Sequence, residues 1–199
     1  MNKGRLEAFT DGVVAILITI MVLELHAPRG ADLAALGGSV PTLLGYVLSF
    51  VFLGIYWNAH HHLLQAAPRV DGVVLWANLH LLFWLSLVPF ATNWMGEHYA
   101  APVPTAAYGV VLLLAAVAFL GLQARLRTLA GPGSALDRAV HDDRKGVVSL
   151  ALNVAAVGLA FVRPWLADAL YLTGALLWFV PDPRIERALH ASPTSTNDS

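Results

Sequence analysis

The chain has 199 residues, of which 57% are hydrophobic and 13% charged, whereas a soluble domain carries about 45–50% apolar and about 25% charged residues. Such an excess of apolar surface points to lipid as the solvent, and a net charge of -1 leaves no basic surplus for nucleic acid. With no cysteine in the sequence, disulfides, zinc thiolate sites and cysteine nucleophiles are excluded.

A spanning helix needs about 20 mostly apolar residues. The first such segment runs from Arg5 to Leu25 and stops near Pro28-Arg29-Gly30. It lacks a small-residue cleavage site, so a retained span is expected rather than a signal peptide. The second runs from Val40 to Leu64 and ends before Pro68-Arg69. The third covers Val73 to Met95, and the fourth covers Thr105 to Leu122, followed by Arg125 and Arg127. Leu129 to Lys145 contains Gly131-Pro132-Gly133 and alternating charges, which predicts a polar loop with a short surface helix from Leu136. The fifth segment covers Gly146 to Val162, Arg163-Pro164 interrupts the pattern, and the sixth covers Trp165 to Val180 before Pro181-Asp182-Pro183. The expected organisation is a single six-helix transmembrane domain over residues 1–190. A Ser/Thr/Asn-rich, disordered cytoplasmic tail is expected over 191–199. No internal repeat is visible.

The last two segments are short for a bilayer, and one long helix kinked at Pro164 is the rival reading. Charge placement separates the two. With six spans and the N-terminus inside, the inner segments hold Lys3, Arg5, Arg69, Arg125, Arg127, Arg138, Arg144, Lys145, Arg184 and Arg187. Only Arg29 and Arg163 fall outside, which is the positive-inside asymmetry. Five spans would put Arg184 and Arg187 outside. Six spans with both termini cytoplasmic are therefore expected.

The first segment is polar in places a simple anchor would avoid. A carboxylate near a bilayer costs at least ~2.5–3.5 kcal/mol on insertion scales, so Asp11 must face protein or water. At ~100° per residue, Ile16, Thr19, Ile20 and Leu23 fall on one side of the helix and Asp11 roughly opposite. The apolar side reads either as ordinary packing or as a functional surface. Glu24, where the helix leaves the membrane, reads either as a solvated end or as part of an outer carboxylate ring that concentrates cations.

On the second segment Trp57, His60 and His61 share a face at i, i+3 and i+4, and the third segment opens with Asn78 and His80. In hydrocarbon such groups hydrogen-bond across helices. Alternating helix directions bring Asp11, His60 and Asn78 to similar cytoplasmic depth. A buried structural node of Asp11, His60 or His61, Trp57 and Asn78 follows, with Arg5 as a candidate to close it. Consecutive histidines in a helix point ~100° apart, so His60-His61-His62 is a poor chelator and no metal site is expected. A histidine node titrates near neutrality, which leaves pH gating open. Trp94, Trp165 and Trp178 read as interfacial belt residues. Gly-rich phosphate loops and hydrolase serine motifs are missing, so no enzyme is expected.

Arg5-x-x-x-Phe9-Thr10-Asp11-Gly12, continuing to Val22-Leu23-Glu24-Leu25, resembles the first-helix signature of the transmembrane protein 175 family. That family comprises the endosomal and lysosomal potassium channel and its bacterial relatives. Trp57-x-x-His60 with His61, then Asn78 and Pro89-Phe90, look like its second- and third-helix marks. The family's usual motif has Phe-Ser-Asp, and Thr10 here keeps the hydroxyl. The resemblance covers the first three segments; beyond them only helix number and hydropathy match.

The resemblance implies an all-α channel subunit in a bacterial plasma membrane, assembled as a homotetramer with the first helices around a central pore. The permeant ion would be K+, with no cofactor and no nucleic-acid partner. Carried onto this chain, the pore-lining gate is Ile16, Ile20 and Leu23, the same side found by angle. Thr19 supplies the hydroxyl ring for selectivity. Arg5, Phe9, Thr10, Asp11, Trp57, His60, His61 and Asn78 form the structural polar node, and Glu24 sits at the outer mouth. The rival class is a secondary transporter or proton-coupled carrier using Asp11 and His60 as a relay. Against it stands the lack of an inverted repeat with broken helices at the midplane. A membrane enzyme built on His60–His62 lacks a nucleophile or metal set.

Overall fold

In the computed structural model, residues 2–28, 30–140 and 144–179 are described. They form helices α1 (Lys3–Leu23), α2 (Leu33–Gly38), α3 (Val40–Ala66), α4 (Gly72–Ser86), α5 (Val88–Glu97), α6 (Pro102–Ala130), α7 (Ala135–Val140), α8 (Arg144–Ala160) and α9 (Pro164–Phe179). No strand occurs among these residues. The end of the sixth predicted segment and the tail 191–199 lie outside the described residues. α1, α3, the α4–α5 pair and α6 are each long and apolar enough to cross a bilayer. α8 and α9 have 17 and 16 residues, about 25 Å each at 1.5 Å per residue.

Local chemistry sets the helix ends. The Asn2 side chain accepts from the Gly4 N–H at 3.0 Å, and Asp32 and Asp71 cap α2 and α4 through the Ala35 and Val74 N–H groups. These caps satisfy donors that a helix start leaves unpaired. Gly131 ends α6 at φ +83°, a conformation that only glycine adopts without strain. The helix expected to stop at Leu122 thus continues for two more turns, to Ala130, and includes Arg125 and Arg127.

The third predicted segment is one apolar span, Gly72–Glu97, interrupted at a single residue. It breaks between α4 and α5 at Leu87, with Pro89 in the first turn of α5. Proline has no N–H to donate and its ring clashes with the preceding turn. Pro164 likewise opens α9, and the chain turns back through residues 161–163 so that α8 and α9 pack side by side. Trp178, late in α9, reaches Ser149, early in α8, at 3.4 Å. The two form an antiparallel hairpin, which overturns the single kinked helix.

The core lies between α3, α4, α5 and α6, where Leu53, Leu64, Val74, Leu85, Val88, Leu112 and Leu122 are fully buried. Two glycines permit close approach. A Cβ on Gly96 would lie 2.9 Å from the Thr42 Cα, so α5 lies directly on α3 there. A Cβ on Gly109 would overlap the Tyr171 hydroxyl and lie 2.8 Å from Val157, so α6 receives both helices of the α8–α9 hairpin.

Candidate functional site: the two faces of the first helix

α1 packs against α3, α4 and α5. Leu6, Thr10, Val14, Leu17 and Met21 are buried in that contact. These positions recur every three to four residues, the spacing of one helix face. The Lys3 ammonium donates to the Ala67 carbonyl at 3.2 Å, pinning the start of α1 to the end of α3. The two helices therefore run antiparallel.

Three polar contacts layers fix the rotation of α1. The His61 Nδ1–H donates to Glu7 Oε1 at 2.8 Å, with Gln65 on the opposite ring nitrogen at 2.8 Å. One turn further, the Trp57 indole N–H donates to Asp11 Oδ1 at 2.9 Å. The Trp57 and His61 rings stack at 6.1 Å. Behind them, in the buried interior, the Asn78 amide donates to Thr10 Oγ1 at 2.9 Å and its carbonyl accepts from His60 Nε2 at 2.8 Å. Thr10, His60 and Asn78 are each no more than 1% exposed. Asn78 thereby joins α1, α3 and α4 through one side chain.

The node is thus two sets of bonds. Asp11 bonds Trp57, and His60 bonds Asn78; the acid and this imidazole are not bonded to each other. Arg5 is exposed and makes no hydrogen bond or ion pair to either set. It lies six residues before Asp11, about 240° around the helix, on a different side. Phe9 is exposed as well. Glu7 and Gln65 belong to the ladder and were not anticipated from the sequence. The signal was available: Glu7 and Asp11 are spaced i, i+4, as are Trp57 and His61, and two antiparallel helices with matched i, i+4 pairs meet rung by rung. Among the described residues, no group of three or more His, Asp or Glu side chains is arranged to hold a metal.

A second buried polar set, also unanticipated, ties the opposite half of the bundle. Ser49 Oγ lies 2.7 Å from Thr92 Oγ1 and 3.0 Å from the Tyr108 hydroxyl, and the Tyr171 hydroxyl donates to the Thr105 carbonyl at 3.1 Å. Serine and threonine in apolar helices carry little pattern in a sequence, since each also bonds readily to its own helix.

The other face of α1 has no partner among the described residues. Ile16, Thr19, Ile20 and Leu23 are exposed, at 57% for Ile16 and 78% for Leu23. The Thr19 hydroxyl donates to the Ile16 carbonyl of its own helix at 2.9 Å. That bond uses the hydroxyl proton, so toward any further partner the oxygen acts as an acceptor. Glu24 caps the C-terminus of α1, half-buried. Outside the apolar lengths, Arg125 on α6 pairs with Asp71 at the start of α4. The guanidinium hydrogen bond, aided by the Val74 N–H, holds the Asp71 carboxyl below its usual value of 3.8.

Apolar spans fastened by interhelical polar ladders define a polytopic α-helical membrane protein. A family model described as "Endosomal/lysosomal potassium channel TMEM175" matches residues 5–89. A potassium channel of Chryseobacterium sp. (strain P1-3) is 48% identical over 189 residues, covering 95% of this chain and 98% of that protein. An endosomal/lysosomal proton channel TMEM175 of Bos taurus is 40% identical over 103 residues, covering 46% of this chain and 22% of that protein. The crystal structure of a lysosomal potassium-selective channel TMEM175 homolog from Chamaesiphon minutus superposes with a TM-score of 0.79 at 27% identity, covering 89% of this chain and 96% of that one. The chain belongs to the TMEM175 family of membrane channels, and it is not an enzyme.

Proposed function

We propose that this protein is a potassium-permeable, leak-type cation channel in which α1 helices from four subunits surround a central pore. The observation that carries the reading is the split character of α1. One side is locked into its own subunit by the Glu7, Asp11 and Thr10 bonds. The opposite side leaves Ile16, Thr19, Ile20 and Leu23 exposed among the described residues. The relatives named potassium channels and potassium-selective channel support the choice of ion.

In this reading the whole of residues 1–190 forms one domain in a bacterial plasma membrane. α8 and α9 are the fifth and sixth spans, and both termini are cytoplasmic. Four Ile16 side chains form the narrowest apolar ring, with Ile20 and Leu23 beyond it. Tight apolar rings gate by dewetting, because nothing there replaces the ion's water. Four Thr19 oxygens supply lone pairs that replace part of the hydration shell, favouring potassium because it loses water more cheaply than sodium. Four Glu24 carboxylates concentrate cations at the outer mouth. The carrier alternative finds no support in the node, since Asp11 and His60 are engaged with different partners.

Flux into liposomes with potassium, sodium and a proton-sensitive dye tests the proposal. Potassium influx that does not saturate, with weaker sodium influx, is expected. Thr19→Ala should lower the preference and Thr19→Ser should keep it. Unchanged selectivity in a folded Thr19→Ala protein would overturn the hydroxyl ring. A purified particle in which the Ile16 face meets lipid would overturn the pore.

A further inference from the structure

α3 and α4 each carry an exposed polar side chain, and the two stand at one height along the bundle. On α4, the Trp84 indole N–H donates to His80 Nε2 at 2.9 Å. Indole is a donor only, so the neutral His80 ring carries its proton on Nδ1. His80 is exposed, and the Nδ1–H has no acceptor among the described residues. On α3, Asn58 is exposed and its amide makes no hydrogen bond among the described residues.

The His60–Asn78 bond sets the register between these helices. α3 descends toward the cytoplasm while α4 ascends from it. Asn58 precedes His60 by two residues and His80 follows Asn78 by two. Each therefore stands about 3 Å above that bond along its helix. Both lie well inside the apolar lengths of their spans, where an unpaired N–H or amide facing lipid is costly. Around His80 on α4 the exposed side chains are large and apolar, Trp76 and Phe83, while Asn58 on α3 has Gly54 one turn before it and the exposed His62 one turn after.

We propose that the two faces are the two halves of one subunit interface, in which the His80 Nδ1–H of one copy donates to Asn58 Oδ1 of the adjacent copy. A donor on one face and an acceptor on another make a heterologous contact, which closes into a ring when the rotation allows it. The partner is a second copy of this chain, because the open acceptor stands at the height of the open donor. The proposal rests on the oligomeric channel reading and adds which residues meet across its seam.

The absence of cysteine makes the test clean. The Asn58→Cys/His80→Cys double variant, oxidised in membranes, should run as a ladder up to a four-chain band. Either single variant alone should stay a one-chain band, and the two singles expressed together should give a two-chain band. In parallel, Asn58→Leu and His80→Leu should each lower the detergent-resistant oligomer fraction several-fold. The double leucine variant should recover much of it, since both polar groups are gone. A missing ladder with the four-chain particle intact would overturn the His80–Asn58 contact and leave the channel reading standing. So would self-cross-linking of a single variant. A one-chain particle in every preparation would overturn both.

Discussion

The Trp57 indole and the Asp11 carboxylate meet at 2.9 Å, one helical turn beyond the 2.8 Å contact between His61 and Glu7. Two rungs at i, i+4 spacing on antiparallel helices define a line and not a point, so they fix both the height and the rotation of α1. Ile16 lies about 140° around the helix from Asp11. Whatever holds the acid inward therefore holds the isoleucine outward.

Trp57→Phe should loosen α1 without unfolding the bundle. The ring stack on His61 survives and the donor to Asp11 is lost. Hydrogen bonds between membrane helices average about 0.6 kcal/mol and reach about 1.7. A fall of that size in apparent unfolding free energy is expected in detergent. A Trp57→Phe protein as stable as wild type would show that the Asp11 contact contributes nothing to holding α1.

Asn78→Leu should cost more. It removes two bonds at once and leaves Thr10 and His60 buried without their partner, a loss of about 1–3 kcal/mol. Combining it with Thr10→Val should cost less than the two single losses added together, because the orphaned hydroxyl is then gone. Thermal unfolding of the single and double variants measures this coupling.

Gly109→Ala should separate the α8–α9 hairpin from α6. The new methyl would collide with the Tyr171 hydroxyl and crowd Val157, and overpacking of this kind costs about 1–3 kcal/mol. Added to Tyr171→Ala it should cost much less, since the colliding ring is absent. Protease sensitivity of the connection between α6 and α8 reports the loosening.

Acid should weaken the Asp71–Arg125 pair. The folded-state pKa of Asp71 is depressed, chiefly by the Arg125 hydrogen bond. Its contribution is therefore fully present above the unfolded value near 3.8 and is lost as pH falls through the lower folded value. Asp71→Asn keeps an acceptor for the Val74 N–H and removes the charge. The difference in melting temperature between wild type and Asp71→Asn should shrink as pH drops below that window.

On the proposed four-subunit arrangement, Ile16→Ala should raise resting potassium flux several-fold, because a wider and less apolar ring no longer dewets. The same change at Val14, on the buried side of α1, should alter stability and leave selectivity alone. Paired liposome measurements separate the two faces of one helix.

The sequence by itself determined the solvent and the spans. Twenty-residue apolar runs depend on composition along the chain, and α1, α3 and α6 stand where those runs are. The first-helix motif was legible for the same reason, since Phe9-Thr10-Asp11-Gly12 is contiguous. It was also legible that Asp11 and the Ile16 side must oppose each other, because helical angle is a local property.

Tertiary structure alone decided partnership. That Asp11 takes Trp57 while His60 takes Asn78, that Glu7 enters the ladder, and that Arg5 stays outside it all depend on the axial offset between α1, α3 and α4. Pairwise spacing within one helix does not encode that offset. The same holds for the return of α9 along α8 beyond Pro164 and for the break at Leu87. A proline marks where a helix must stop, but the direction in which the chain continues is set by what the next apolar face finds to pack against.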